Sequence, residues 1–381
     1  MTRLRGFLTL ENNKYPHLTK YGWNDNWNKA LQQKIQQTNK SLEPARIVAQ
    51  FSKQYRIITE SGERIAEVTG RYEFEAGSRS EFPAVGDWVL VHLLEGEQRA
   101  SIHALLPRIS SMTRKEAGNV IDEQVIASNM NAIFITNALN QDFNIRKIER
   151  YLIAVWESGA LPVVLLTKSD LCSNPEKNIA LVEAIAPGVP VHAVSAFLNK
   201  GKEELTPYLL PGYTVAIAGS SGVGKSTLLN WLADDHLQDV QAIRESDARG
   251  RHTTTHRELF ILPSGAIMMD TPGMRELQLW DAADGWETTF ADIITLAAKC
   301  RFHNCSHESE AGCAVKQAIE EGTLDTRRYA NYKKTEKELA HLARKEQANN
   351  RKFMKQASKH SASKSKREAR AYSRYDSHFL E

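Results

Sequence analysis

Long hydrophobic runs are missing from this chain. No stretch of about eighteen consecutive apolar residues occurs in its 381 positions, which excludes a transmembrane helix. A secretory leader is missing too: the opening Met1-Thr2-Arg3-Leu4-Arg5-Gly6-Phe7-Leu8 meets Glu11, Asn12, Asn13 and Lys14 before an apolar core forms. Together these absences predict a cytoplasmic protein without membrane contact. Cysteine is scarce, at four residues, and Cys300, Cys305 and Cys313 cluster near histidine. An odd cluster of this kind speaks for metal ligation, not a disulfide framework. Strong net charge is also absent, at +3, but the balance is uneven. From Leu324 onward there are 16 Lys+Arg against 7 Asp+Glu, while the preceding 323 residues carry 33 against 39. A basic arm on a slightly acidic body points to a polyanionic partner, although a merely solvated terminus has the same composition.

What is present is globular: 41% hydrophobic and 25% charged residues supply enough apolar mass for more than one core. Residues 1–44 are polar, contain Trp23 and Trp27 and a helix-compatible stretch from Asn28 to Gln37, and suggest no function. Five β-like runs follow over 45–112: Ala45–Phe51, Tyr55–Thr59, Arg64–Thr69, Trp88–His92 and Ser101–Leu106. They predict a small barrel of the oligonucleotide-binding (OB) type, and an SH3-like barrel would give nearly the same pattern. Over 118–280, apolar strands at Ala132–Thr136, Pro162–Thr167, Val189–Val194, Thr214–Ala218 and Ala266–Met269 alternate with helical patterns such as Ile145–Trp156. This rhythm predicts an α/β domain with a parallel sheet covered on both sides. Residues 281–345 read as a mostly helical domain around the cysteines, and 346–381 as a Lys/Ser/Ala-rich tail expected to be disordered.

The run Gly219-Ser220-Ser221-Gly222-Val223-Gly224-Lys225-Ser226 fits G-x-x-x-x-G-K-[ST], follows a strand and opens a helical stretch from Ser226 to about Ala233, with Thr227 also expected at the nucleotide. Its glycines let backbone N–H groups at a helix N-terminus face phosphates, Lys225 is placed for the β- and γ-phosphates, and the Ser226 hydroxyl for magnesium. Further on, Asp270-Thr271-Pro272-Gly273 ends a strand. Asp270 suits magnesium held through water, and the Gly273 N–H suits a γ-phosphate. Between them Gly250-Arg251-His252-Thr253-Thr254-Thr255-His256 reads as a switch, with Thr254 the favoured magnesium ligand.

Guanine offers two donors that one carboxylate can accept together. Thr167-Lys168-Ser169-Asp170 ends a strand and supplies that carboxylate, with the Lys168 stem to lie along the base. Ser195-Ala196 ends another strand and could give N–H groups to the guanine oxygen. GTP is therefore favoured over ATP. An ATP-using enzyme and an RNA-binding protein with a vestigial nucleotide site are the competing readings. Asp170 opposes the first, and the intact Lys225, Ser226 and Asp270 oppose the second.

In ordinary small GTPases the phosphate loop precedes the switch threonine, D-x-x-G, [N/T]-K-x-D and S-A. Here T-K-S-D and S-A come first. With Pro83-Ala84-Val85-Gly86-Asp87-Trp88, Gln124-Val125-Ile126-Ala127 and the cysteine cluster, the order over residues 45 to 345 resembles the bacterial ribosome small-subunit-dependent GTPase A family. The resemblance implies a circularly permuted GTPase flanked by an OB-like barrel and a zinc domain. It also implies GTP hydrolysis to GDP stimulated by the small ribosomal subunit, a role late in that subunit's maturation, and contacts with its rRNA. The chain is expected to be a monomer. Thr167 departs from the family, which commonly carries Asn there.

Cys300, Cys305, His307 and Cys313 offer three thiolates and an imidazole, a closed tetrahedral set that predicts one structural zinc. His303 competes as a ligand, and the family pattern favours His307. A glutamine after D-x-x-G orients water in Ras-like enzymes, but Met274 stands here, so slow unassisted turnover is expected. His252 is the candidate catalytic residue to position or deprotonate water; a switch histidine that packs or meets a partner is the plain alternative. Because the segment after Gly273 runs into the cysteine domain, chain order alone suggests that nucleotide state repositions that domain.

Overall fold

The computed structural model describes residues 14–36, 41–94, 96–115, 123–234, 258–270, 283–308, 310–344, 347–348 and 351. Strands β1 (Glu43–Phe51), β2 (Gln54–Thr59), β3 (Gly62–Val68), β4 (Trp88–Leu93) and β5 (Arg99–Leu105) form a closed barrel. Each predicted strand is present, displaced by a residue or two. The ring runs β1-β2-β3-β5-β4 and back to β1, with β3 and β5 parallel and every other pair antiparallel. That parallel pair decides for the OB topology over the SH3-like one, whose neighbouring strands pair antiparallel. Between β3 and β4 lies helix α3 (Gly70–Glu75), capped by the Thr69 side chain.

The polar N-terminal segment is bound to the barrel. Helices α1 (Pro16–Thr19) and α2 (Asp25–Ile35) flank Trp23, which is fully buried and meets Trp88 edge-on with ring centroids 4.8 Å apart. Asn24 caps α2 by accepting from the Asn26 and Trp27 amides. Glu60, at the β2–β3 turn, accepts from the His17 and Leu18 amides at the start of α1. Between these pieces the buried Arg46 guanidinium lies 5.2 Å from the Trp88 ring and donates to the Tyr21 carbonyl and, at 2.8 Å, to the Thr214 hydroxyl.

A hairpin of β6 (Ser111–Lys115) and β7 (Glu123–Ser128), unanticipated from the sequence, leads from barrel to α/β sheet. That sheet comprises β8 (Ala132–Ala138), β9 (Leu161–Thr167), β10 (Val191–Ala193), β11 (Thr214–Ala218), β12 (Glu258–Ile261) and β13 (Ile267–Asp270). Its order is β10-β9-β8-β11-β13-β12, parallel except for β12. The central β8 is buried along its whole length, as expected of a parallel strand covered on both faces. Helices α4 (Ile145–Ser158), α5 (Pro175–Ile185) and α6 (Lys225–Leu232) connect the strands. The β12 strand also pairs with β1 of the barrel, so one sheet runs through both units.

Helices Ala283–Thr289, Ala291–Ala297 and Ala314–Glu320, with the helical residues 326–344, build the C-terminal unit. It is seated on α4. Gly285 touches the α4 backbone so closely that a Cβ there would lie 2.2 Å from the Ile153 carbonyl oxygen. The buried Arg328 guanidinium donates to Glu149 of α4 at 2.7 Å, to Asp292 at 2.9 Å and to the Thr289 carbonyl at 2.7 Å. Burial pushes the Glu149 carboxyl above its ordinary range, partly offset by Arg328. Among the described residues no helix is long and apolar enough to cross a membrane.

Candidate functional site

Three strand ends converge on one place. β11 stops at Ala218, and residues 219–224 wrap over the end of the sheet before α6 begins at Lys225. Gly219 is required by contact as well as by its positive φ of 152°. A Cβ there would lie 2.2 Å from the Thr136 hydroxyl and 2.6 Å from its carbonyl oxygen. Thr136 is thus the floor of the phosphate loop, and its hydroxyl donates to the Ala218 carbonyl at 2.8 Å. Sequence reading missed it, since a threonine late in an apolar strand carries no motif. Lys225 lies back across the loop, its Nζ donating to the carbonyls of Gly219 at 2.7 Å and Ser220 at 2.6 Å. Ser221, Gly222, Ser226 and Thr227 are exposed and Val223 is buried beneath them.

The predicted base motif, more than fifty residues earlier in the chain, meets this loop directly. Thr167 ends β9 and its hydroxyl donates to the Val223 carbonyl at 2.6 Å. Lys168 has a left-handed backbone and its Nζ donates to the Gly222 carbonyl at 2.8 Å. A 3-10 turn, Ser169–Leu171, then presents Asp170 to solvent. Ser195, buried at the end of the third converging segment, donates to Asp170 Oδ1 at 2.5 Å and accepts from the Leu198 amide at 3.1 Å. One carboxylate oxygen of Asp170 is therefore held by Ser195, which fixes how the carboxylate faces outward. The amide of Ser169 donates to the Val194 carbonyl at 3.1 Å, tying the two base segments together.

Glu258 and Asp270 are cross-strand partners, so the backbone of the acidic end of β13 is fixed by the sheet. His252, Thr254, Gly273 and Met274 lie outside the described residues, as does most of the basic tail.

The cysteine cluster assembles as predicted. The ligand atoms of Cys300, Cys305, His307 and Cys313 all lie within 4.8 Å of one another. Cys300 and Cys313 Sγ are 3.9 Å apart, and His307 Nδ1 is 3.6 Å from the first and 3.4 Å from the second. Zinc–sulfur bonds of about 2.3 Å and zinc–nitrogen bonds of about 2.0 Å imply tetrahedron edges of about 3.8 Å and about 3.5 Å, so these residues fit one zinc ion. His303 is exposed and outside the cluster. Burial lowers the His307 pKa and leaves the neutral imidazole that a metal needs. For Cys300, burial acts to raise the thiol, but the amides of Val315 and Ala314 outweigh it and hold it below its ordinary range. Cys305 is pushed up to about 11, first by burial and then by the neighbouring thiols. Cys172 stands apart, accepting from the Asn178 amide at 3.4 Å.

Comparison with known proteins agrees with this geometry. The family model for the RsgA GTPase matches residues 105–280, and that for a 50S ribosome-binding GTPase matches residues 214–354. The second match begins at β11, after both base segments. The small ribosomal subunit biogenesis GTPase RsgA 2 of Lactiplantibacillus plantarum is 47% identical over 78% of this chain and 83% of its own length. The corresponding GTPase of Opitutus terrae is 43% identical over 86% and 91%. The crystal structure of YjeQ from Thermotoga maritima superposes with a TM-score of 0.59 at 25% identity, covering 79% of this chain and 99% of that one. YloQ, described as a circularly permuted GTPase, gives 0.55 at 25% identity, covering 79% and 96%.

Proposed function

Because the chain belongs to the RsgA GTPase family, we propose that it hydrolyses GTP to GDP and phosphate while bound to the small ribosomal subunit, late in that subunit's maturation. The chain is a circularly permuted P-loop GTPase. The observation that carries the reading is the pair of bonds from Thr167 and Lys168 to the Val223 and Gly222 carbonyls. They join a guanine-selective motif to a phosphate loop despite the permuted order, so base and phosphates are gripped by one rigid unit.

In this reading Asp170, aimed by Ser195, accepts from the guanine N1–H and N2–H, and the Ala196 amide donates to its O6. Backbone amides over Gly219–Gly224, with Ser226 and Thr227, surround the phosphates. Lys225 exchanges the two loop carbonyls for phosphate oxygens. Ser226, Thr254 and Asp270 would hold magnesium, which supplies charge neutralisation between the β- and γ-phosphates. The Gly273 amide and His252 are assigned to the γ-phosphate and to the attacking water. Met274 cannot orient that water, so turnover depends on the partner to complete the site. The zinc held by Cys300, Cys305, His307 and Cys313 is structural, because four protein ligands leave no open position. The barrel, the zinc unit and the basic tail are the surfaces offered to rRNA, and the cytoplasm is the setting. The protein acts as a monomer.

The test is steady-state GTP turnover with and without purified small subunits, with ATP as competitor. Alone, the protein should turn over well below about one per second. Subunits should raise that rate, and ATP should not compete. Turnover indifferent to small subunits would sink the proposal.

A further inference from the structure

Glu258 occupies a position that neither the nucleotide motifs nor the metal cluster explains. It is the first residue of β12 and follows the threonine run Thr253–Thr255 by three residues in sequence. On one side it pairs with Ala49 of β1, the pairing that carries the barrel into the α/β sheet. On the other side it pairs with Asp270 at the end of β13. Its carboxylate is bound by the Arg56 guanidinium of β2, and both side chains are only about a quarter exposed, at 26% and 27%. Directly beyond it, Leu259 and Met269 are buried in the same core as Ile47, Ile57 and Val85 of the barrel region. A single row of backbone, Ala49–Glu258–Asp270, thus leads from the barrel to the D-x-x-G aspartate.

We infer that the Arg56–Glu258 ion pair is a positioning link through which the barrel sets strand β12 and, across the sheet, the backbone at Asp270. The inference rests on the proposed activation by the small subunit. Neighbouring strands lie about 4.8 Å apart, and like charges in one row oppose each other. Without Arg56, the partly buried Glu258 carboxylate loses its ion-pair partner among the described residues, on the strand next to Asp270. Either the charge adds to the negative potential beside β13 or the strand shifts to reach water. With Arg56, a force on the barrel reaches β12 through two couplings, the main-chain pairing of Ala49 with Glu258 and the side-chain bridge. Arg56 and Glu258 belong to neither the nucleotide set nor the metal set assigned above, so their effect runs through other residues.

The experiment compares wild type, Arg56→Gln, Glu258→Gln, Arg56→Lys and the reversal Arg56→Glu/Glu258→Arg. Each full-length protein is assayed for GDP affinity, for GTP turnover alone and with small subunits, and for co-sedimentation with those subunits. Both single neutral variants should keep wild-type GDP affinity, unstimulated turnover and co-sedimentation, and lose about tenfold of the stimulated rate, the equivalent of about 1.4 kcal/mol. The charge reversal should recover most of that loss, and Arg56→Lys, which keeps the charge, should retain stimulation even if a neutral variant fails to fold. Wild-type stimulation in both neutral variants overturns the inference, as does a loss of stimulation that tracks lost co-sedimentation and is not restored by reversal, because Arg56 would then be a plain contact. Absence of stimulation in the wild type overturns the proposed function itself, and this inference with it.

Discussion

The Thr167 hydroxyl donates its one proton to the carbonyl of Val223, 2.6 Å away, and so spans the distance between base motif and phosphate loop. The family resemblance leads one to expect Asn here, whose amide has two protons for the same task. Replacing Thr167 by Val keeps the shape and removes the donor. The buried Val223 carbonyl then loses its partner, a loss worth about 1–3 kcal/mol. GDP affinity should weaken by about tenfold or more in Thr167→Val, with guanine-over-adenine preference intact, and Thr167→Asn should bind at least as well as wild type. Titration with a fluorescent guanine nucleotide measures both. Unchanged affinity in the valine variant would mean that the bond does not organise the loop.

Asp170→Asn should lower affinity for GTP and admit xanthine nucleotides, because the exchanged oxo and N–H groups pair again. Ser195→Ala, which only releases the carboxylate, should cost less, about 1 kcal/mol. Competition binding with GDP and XDP separates the two variants. A Ser195→Ala protein weaker than Asp170→Asn would reverse the roles assigned here.

Elemental analysis should find one zinc per chain. Cys305→Ser should lower that content and the thermal stability of the C-terminal unit, with the barrel unaffected, since metal binding and local folding are coupled. A fully folded, metal-free wild type contradicts the assignment.

Arg328→Met should destabilise the protein by about 3–5 kcal/mol near neutral pH, because Glu149 is left as a buried charge. Its carboxyl already sits above the ordinary range through burial. A carboxyl whose pKa is raised on folding favours the folded state when protonated, so stability falls as pH rises from the unfolded value through the folded one. The destabilisation by Arg328→Met should therefore shrink on acidification towards the unfolded value of about 4.3. Urea unfolding at pH 5 and pH 8 tests this, and an effect equal at both pH values would exclude Glu149 as its cause.

Motifs whose chemistry depends on adjacent residues were readable in the sequence. Gly219–Ser226, Thr167–Asp170 and the four metal-cluster residues each state their role through type and spacing, and the structure brings the two nucleotide segments together. Five strands were legible because turn formers bracket them. What escaped was everything fixed by contacts between distant segments. Thr136 becomes the floor of the loop only once β8 and β11 are neighbours. Strand β12 takes its place only through its pairing with β13 on one side and β1 on the other. Trp23 and Trp27 stand in a polar stretch that gives no pattern, and their burial follows from Trp88. The suggestion that nucleotide state moves the cysteine unit now faces a specific obstacle, the buried bridge from Arg328 to Glu149.

Arg46 bears on how such a molecule can be taken apart. Its guanidinium reaches the Tyr21 carbonyl in the N-terminal segment, the Trp88 ring in the barrel and the Thr214 hydroxyl at the start of the strand leading to the phosphate loop. Boundaries drawn along the sequence are therefore not seams. A barrel cut out at residue 45 would keep the charge and lose the Tyr21 and Asn129 carbonyls and the Thr214 hydroxyl, exposing Trp88 as well. Isolated fragments would be poor surrogates when ribosomal contacts are mapped, and grafting the barrel onto another GTPase would require a strand opening with threonine and an N-terminal arm to match. Relatives that exchange barrels should exchange all three pieces together.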